Sequence, residues 1–424
     1  MQFSNTKEDG LETIIVNWLV NQNGYEQGKN ADYNKEYAID ETRLFRFLSD
    51  TQPDEMEKLA VFKNEQKKRT FLNRLQGELA KRGIVDVLRN GIKVYPADLI
   101  MFYLTPNENN ETAKSLYAQN IFSVTRQLRY SSDAGKLALD LCVFNGLPVI
   151  TFELKNQLTK QNVEDAIQQY KDDRSPKEQL FSFKRCMVHF AVDDDRIKFC
   201  TKLAAQDSWF LPFDKGYNDG AGNPPNPNGL KTDYLWKEIL TKDKLTRIIE
   251  SYAQVVTEVD EETKKKTVKQ IFPRYHQLDV VTKLLEDVKK NGSGKSYLIQ
   301  HSAGSGKSNS IAWLAHRLTG LHDYEDNKIF QSVIIVTDRR VLDSQLQSTV
   351  YQFDHVEGVV KKVDKNSGQL RDAINDGVGI IITTLQKFPV IYKEVDSAKK
   401  RFAIIIDEAH SSQTGDEIRI SERN

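Results

Sequence analysis

The stretch Leu298-Ile299-Gln300-His301-Ser302-Ala303-Gly304-Ser305-Gly306-Lys307-Ser308-Asn309-Ser310-Ile311 decides how the C-terminal part of the chain is read. Its order predicts an apolar strand, a Gly-rich loop, then an amphipathic helix. That is the layout of a nucleoside-triphosphate cradle. Successive backbone N–H groups point at phosphate oxygens, and glycines let the backbone approach closely. Lys307 is placed to reach the β- and γ-phosphates, and the Ser308 hydroxyl to hold Mg²⁺. Gly304, Ser305, Gly306, Lys307 and Ser308 keep the core of the G-x-x-x-x-G-K-[ST] pattern, with His301 where its first glycine belongs. A second copy, Gly292-Ser293-Gly294-Lys295-Ser296, follows a polar helix end and precedes an apolar run. A phosphate loop needs the reverse order, so the upstream copy reads as a solvated turn.

Outward from the loop, apolar runs alternate with helical patterns. Helix 308–320 is followed by strand 332–337, helix 340–351, strand 379–384 and strand 402–407. This order predicts a parallel sheet with helices on both faces. Ligands of such sheets bind at the carboxyl ends of strands. The phosphate loop, Thr337-Asp338, Thr383-Thr384 and Asp407-Glu408 all fall there. Within Asp407-Glu408-Ala409-His410, Asp407 is suited to hold Mg²⁺ and Glu408 to polarise an attacking water. A lone Asp-Glu at a strand end also caps helices, but here it has a phosphate loop as partner.

Further upstream, Leu137–Phe144 and Leu147–Lys155 are apolar runs joined by Asn145-Gly146, a strong hairpin signal. The charged exceptions are Asp140, Glu153 and Lys155. Glu153 and Lys155 are two apart and share a face, and folding back brings Asp140 near it. Charge in an apolar hairpin is costly unless paired or metal-bound. Two carboxylates on adjacent strands can hold Mg²⁺, and a lysine beside them can orient or deprotonate water, the minimal kit for phosphodiester hydrolysis. A buried ion pair, Lys155 with Glu153 or Asp140, is the plainer reading, and the spacing leaves both open.

The rest of the chain sets the frame. Its 424 residues, 39% hydrophobic, predict a globular chain of two or three domains. Sixty basic and sixty acidic residues cancel, which neither requires nor excludes a nucleic-acid partner. Cys142, Cys186 and Cys200 lie apart among apolar residues and read as buried thiols of a reducing compartment. No signal core and no run of 18 apolar residues occurs, so no membrane is expected and the protein reads as cytoplasmic. Residues 41–89 read as a helical, charged region, with Gly83–Leu88 and Ile92–Val94 as short strands about the turn at Arg89–Gly91. His189 lies in an apolar strand and reads as a core histidine. A first α/β domain closes near 205. The Asn-, Gly- and Pro-rich stretch 218–229 reads as a linker or long loop, with a helix after it, and the run Glu261–Lys266 as a solvated turn.

These motifs together resemble the N-terminal part of HsdR, the restriction subunit of type I restriction–modification enzymes. The resemblance rests on Asp140 with Glu153-Leu154-Lys155, Pro273–Gln277, His301–Ser308, Val336–Arg340, Thr383–Phe388 and Asp407–His410. It implies an α/β chain: a PD-(D/E)xK nuclease-like domain (1–205), a linker and helical connection (206–270), and a first RecA-like P-loop domain (271–424). Asp140 and Glu153 would be Mg²⁺ ligands and Lys155 the catalytic lysine. Gln277 would contact adenine, and Glu12 would be a carboxylate near the nuclease site. Thr337–Arg340 and Thr383-Thr384 would line the DNA track, and His410 would couple nucleotide state to a second motor domain. ATP and Mg²⁺ are the implied cofactors, double-stranded DNA the substrate, and the methylation (M) and specificity (S) subunits the partners. The family often carries Gln-x-x-x-Tyr after the nuclease lysine; here Ala166 precedes Tyr170 by four, so either Gln168 or Gln169 substitutes or the role is absent. A second RecA-like domain does not follow His410, so a fragment or truncated gene is expected, one that binds ATP weakly and does not translocate. Another helicase–nuclease of DNA repair or defence, or a non-catalytic assembly module, are the alternatives.

Overall fold

The computed structural model describes residues 8–106, 110–131, 137–156, 160–259, 263–302, 304–337, 340–353, 359–363, 367–384 and 400–407. The chain forms two compact units, Met1–Tyr275 and His276–Asn424.

The first unit is built on a seven-stranded mixed sheet. Its strands are β1 (Glu26–Gln27), β2 (Ser123–Leu128), β3 (Leu139–Asn145), β4 (Leu147–Leu154), β5 (Val188–Val192), β6 (Ile197–Cys200) and β7 (Leu211–Pro212), in that spatial order. Pairs β1/β2 and β4/β5 are parallel and the others antiparallel. All eight residues of β4 are buried, as a strand covered on both faces requires. The expected hairpin forms, with Gly146 at its tip at φ 70° and Asn145 already paired to Leu147. A register shift at Val143/Phe144 absorbs the tight turn. Helix α1 (Glu8–Asn21) and helix α2 (Val163–Asp173) flank the sheet, α2 opened by an Asn162–Asp165 capping box.

One expectation here is corrected. Residues 84–90 form a helix, Ile84–Asn90, not a strand. Ile84, Val85, Val87 and Leu88 are all buried, so packing around a short helix overrides the strand preference of a β-branched run. Ile92–Val94 is a strand as expected, and pairs with Ala97–Leu99. Residues 206–275 lie within this same unit. Phe213, Thr232, Trp236, Ile248 and Ile249 are buried in it. The six-residue strands β8 (Gln254–Val259) and β9 (Lys266–Ile271) form a separate ribbon whose outer half is exposed.

The second unit holds a four-stranded, wholly parallel sheet. Its strands β10 (Ser332–Thr337), β11 (Val360–Lys362), β12 (Ile380–Thr384) and β13 (Phe402–Ile406) lie in the order β11-β12-β10-β13. Helix α3 (Tyr275–Asn291) precedes the Gly-rich stretch and helix α4 (Lys307–Thr319) follows it. Ile334, Val336 and Ile381 pack with Leu370, Ala373 and Ile374 in one core. The expected strand before the loop is also corrected. Tyr297–Ser302 take no strand pairing, and Leu298 is 90% exposed. A strand needs a neighbour to satisfy its backbone, and among the described residues β13 pairs only with β10.

Candidate functional site

In the first unit, three adjacent strands, β2, β3 and β4, and two helices bring their polar groups together. Asp140, half-buried on β3, accepts from the Leu154 N–H at 2.7 Å and from the Gln127 side-chain amide at 3.2 Å. Glu153, fully buried on β4, takes Arg174 Nε at 2.5 Å through Oε1. Arg174 follows α2 and donates also to the Tyr130 hydroxyl (3.2 Å) and the Ala138 carbonyl (2.8 Å). Lys155 is buried just past β4, its N–H extending the ladder to the Val192 carbonyl. Glu12, buried on α1, accepts from Arg126 Nε at 2.9 Å and from the Gln127 amide at 3.3 Å.

The electrostatics follow from burial. Desolvation and the neighbouring Asp140 carboxylate push Glu153 up to about 8, against the pull of Arg174 and Lys155. Asp140 is raised by burial too, and is pulled back by the Leu154 N–H and the Lys155 ammonium. Glu153 thus keeps one oxygen on Arg174, while Oε2 is buried with no hydrogen-bond partner. A buried acceptor without a partner is costly. That orphaned oxygen beside a second carboxylate fits a hard divalent cation such as Mg²⁺, which keeps several waters and needs one or two protein carboxylates. Among the described residues no cluster of three or more His, Cys, Asp or Glu side chains is arranged to hold a metal. The fit is therefore to a two-carboxylate set.

Sequence reasoning did not single out Arg126, Gln127 or Arg174. Arg126 and Gln127 lie in a strand of mixed polarity, Ser123–Leu128, so the pattern does not mark them, and nothing in it marks Arg174. Gln168, exposed on α2, donates its amide to the Asp172 carboxylate at 3.0 Å. Tyr170 bonds Thr151, whose hydroxyl also meets His189 Nδ1 at 2.7 Å. His189 is a core histidine, as expected, with burial holding it down at about 3.

In the second unit, Gly304 and Gly306 adopt φ of 71° and 82°, and α4 starts at Lys307. A Cβ on Gly306 would meet Gln277 Nε2 at 2.4 Å. Gln277, expected to contact adenine, donates its amide to the Ser305 and Gly306 carbonyls at 3.2 and 2.9 Å. His276 Nε2 lies 3.1 Å from the Ser305 carbonyl and His301 Nδ1 3.2 Å from its hydroxyl. His301 thus braces the loop from the position where the motif has glycine. Ser308 stands half-buried in the first turn of α4. Lys307 Nζ lies 3.3 Å from Asp407, which leaves β13 and donates its N–H to the Val336 carbonyl. Loop lysine and strand-end acid are thereby brought together across about a hundred residues of sequence. Thr337 and Thr383 hydroxyls are buried at neighbouring strands without a partner. Glu408, His410, Asp338, Arg339 and 385–388 lie outside the described residues. The upstream Gly-Ser-Gly-Lys-Ser copy is a solvated turn, its Lys295 paired with Asp287 at 3.1 Å.

A mixed-sheet unit with carboxylates on its central hairpin, followed by a parallel-sheet unit with a phosphate loop, defines a nuclease-like fold joined to a RecA-like ATPase fold. Family comparison agrees in both parts. Residues 5–208 match the type I restriction enzyme R protein N terminus, and residues 276–422 match the SWI2/SNF2 ATPase. The first part of the chain is thus similar to the N-terminal region of type I restriction R proteins, and the last part to SWI2/SNF2 ATPases. The chain is 26% identical over 316 residues to the type I restriction enzyme HindI endonuclease subunit of Haemophilus influenzae, covering 70% of this chain and 28% of that protein. It is also 28% identical over 159 residues to the C-terminal part of the type I restriction enzyme MpnIIP endonuclease subunit of Mycoplasma pneumoniae, covering 34% of this chain and 73% of that sequence. No helix among the described residues is long and apolar enough to cross a membrane.

Proposed function

We propose that the chain is part of the restriction subunit of a type I restriction endonuclease, cutting double-stranded DNA with Mg²⁺ and coupling to ATP-driven translocation in the full-length enzyme. Residues 1–205 form the nuclease, 206–270 the connection and 271–424 the first motor domain. The observation that carries the nuclease reading is the orphaned, buried Glu153 oxygen beside Asp140 and Lys155. Asp140 and Glu153 would hold Mg²⁺, which would supply Lewis-acid polarisation of the scissile phosphate. Arg174 fixes the Glu153 carboxylate, the Leu154 N–H fixes Asp140, and Lys155 orients the attacking water or takes its proton. Gly304, Ser305, Gly306, Lys307 and Ser308 cradle the ATP phosphates. Asp407 and Ser308 would hold the Mg²⁺ of the nucleotide, and Glu408 would polarise water for hydrolysis. Gln277 is the adenine-side residue. The M and S subunits are the partners that direct the chain to DNA.

The test is Mg²⁺-dependent plasmid cleavage by the full-length subunit assembled with its partner subunits. Asp140→Ala and Lys155→Ala each lower it at least about 100-fold, the order expected when a metal ligand or a base is removed. Unchanged cleavage in both variants removes the assignment. The Arg174–Glu153 ion pair favours a second reading, a non-catalytic assembly module, and that same outcome would select it.

A further inference from the structure

The acidic group of the first unit contains a residue for which the proposed chemistry has no use. Gln127 lies at φ 45°, in the left-handed region that side chains other than glycine rarely adopt. Its neighbours Arg126 and Leu128 keep their ladder partners Leu141 and Leu139, so the twist is confined to one residue. Asn30 secures it. Its amide donates to the Arg126 and Gln127 carbonyls at 3.4 and 3.1 Å, and its Oδ1 accepts the Arg129 N–H at 2.7 Å. A strained residue held by a side chain from elsewhere in the fold is over-determined. The side chain shows to what end. Gln127 Nε2 donates to Asp140 Oδ1 at 3.2 Å and to Glu12 Oε2 at 3.3 Å. The other Glu12 oxygen takes Arg126 Nε at 2.9 Å.

One uncharged nitrogen therefore stands between two carboxylates, spending both of its hydrogens on them. Bridging two carboxylates is otherwise what a divalent cation does. We propose that Gln127 is a positioning residue that limits the acidic group to a single divalent ion. It ties Asp140 to Glu12 and fills the space between them. With Arg126, it satisfies Glu12 and so withholds it as a ligand, leaving the ion to Asp140 and Glu153. This inference rests on the metal reading of Asp140 and Glu153 given above.

The experiment is titration calorimetry of the 424-residue chain with Mn²⁺ in the absence of nucleotide, together with thermal unfolding. The wild-type chain binds one ion at this site, and Asp140→Ala abolishes it. Gln127→Glu exchanges donors for a carboxylate of the same size; it binds a second ion per chain and shows a larger Mn²⁺-induced rise in melting temperature. Gln127→Met removes the donors without adding charge and covers the case in which Gln127→Glu does not fold. It melts earlier than wild type without metal, and Mn²⁺ restores it. One ion at wild-type affinity with no restored melting in the Gln127 variants overturns the inference. So does a second ion in the wild-type chain that Glu12→Gln removes. Absence of any ion in the wild-type chain would instead sink the metal reading itself, and the inference with it.

Discussion

The two units set an acid beside a base in opposite ways. In the first, Glu153 on β4 and Arg174 at the end of the flanking helix α2 are 0% and 1% exposed. In the second, Lys307 is 39% and Asp407 10% exposed, 3.3 Å apart at the mouth of a Gly-rich loop. A buried pair must be satisfied by the fold itself, since water cannot reach it, and its charges bear on stability whether or not substrate is present. An open pair is screened and contributes little, so a phosphate group can replace one partner at small cost. The Arg174–Glu153 pair is thus completed by folding, whereas the cradle is held in readiness by a contact that a ligand can take over.

The largest effect expected from this contrast is at Arg174. Arg174→Met keeps most of the side-chain volume but strips Glu153 of its ion pair. At pH 9 the loss in unfolding free energy is about 3–5 kcal/mol, the usual cost of leaving a buried charge unpaired. At pH 6 the carboxyl holds a proton, and the loss shrinks to that of the hydrogen bonds, about 1–2 kcal/mol. Urea unfolding at the two pH values measures both. Equal losses would mean that Glu153 is not the group that feels Arg174.

The same burial gives a pH profile of its own. The folded chain holds Glu153 at about 8 against an ordinary 4.5, chiefly through desolvation and then through Asp140. Between those values the folded state carries a proton that the unfolded state has released, so stability falls as pH rises through the window. His189 works the other way. Burial takes it from 6.5 to about 3, so the unfolded chain binds the extra proton and stability rises with pH over that range. The two slopes oppose one another up to pH 6.5; above it Glu153 acts alone, at up to about 1.4 kcal/mol per pH unit. Glu153→Gln flattens the fall between pH 6.5 and 8 in melting-temperature scans. A fall that persists in the variant would place its origin elsewhere.

What was legible in the sequence follows the same divide. The hairpin at Asn145-Gly146 and its three charged exceptions were readable because local alternation and turn chemistry specify them. Their setting was not. Arg174 reaches Glu153 from 21 residues further on with no periodic signal, and the role of Gln127 depends on a backbone angle that no composition reveals. The helix at Ile84–Asn90 was missed because its β-branched residues favour a strand until packing is known. In the second unit, strand–helix alternation gave the parallel sheet, and local context separated the phosphate loop from its upstream copy. The strand before the loop failed as an expectation because a strand is a relation between neighbours, and the apolar run at Tyr297–Ile299 has none. His301, a mere mismatch to the motif in sequence, proves to be a brace on Ser305.

The smallest expected stability effect is at the cradle, and its smallness is informative. Lys307→Met breaks the pair with Asp407, yet a lysine this exposed contributes less than about 1 kcal/mol to folding, and less again in high salt. Unfolding free energy in 0.05 and 0.5 M salt should therefore differ little between variant and wild type. Arg174→Met should by contrast keep its full loss in both, because its charges are shielded from ions by the sheet. Binding should separate the two variants in the opposite sense. The cradle's only cation aimed at phosphate by its motif is gone in Lys307→Met, so fluorescent ATP binding should fall at least about tenfold, the loss of one charge-assisted contact of about 1.5–3 kcal/mol. Arg174→Met should bind the nucleotide like the wild-type chain at temperatures where it is folded. A stability loss in Lys307→Met as large as that in Arg174→Met would erase the contrast, since it would make the open pair as much a part of the fold as the buried one.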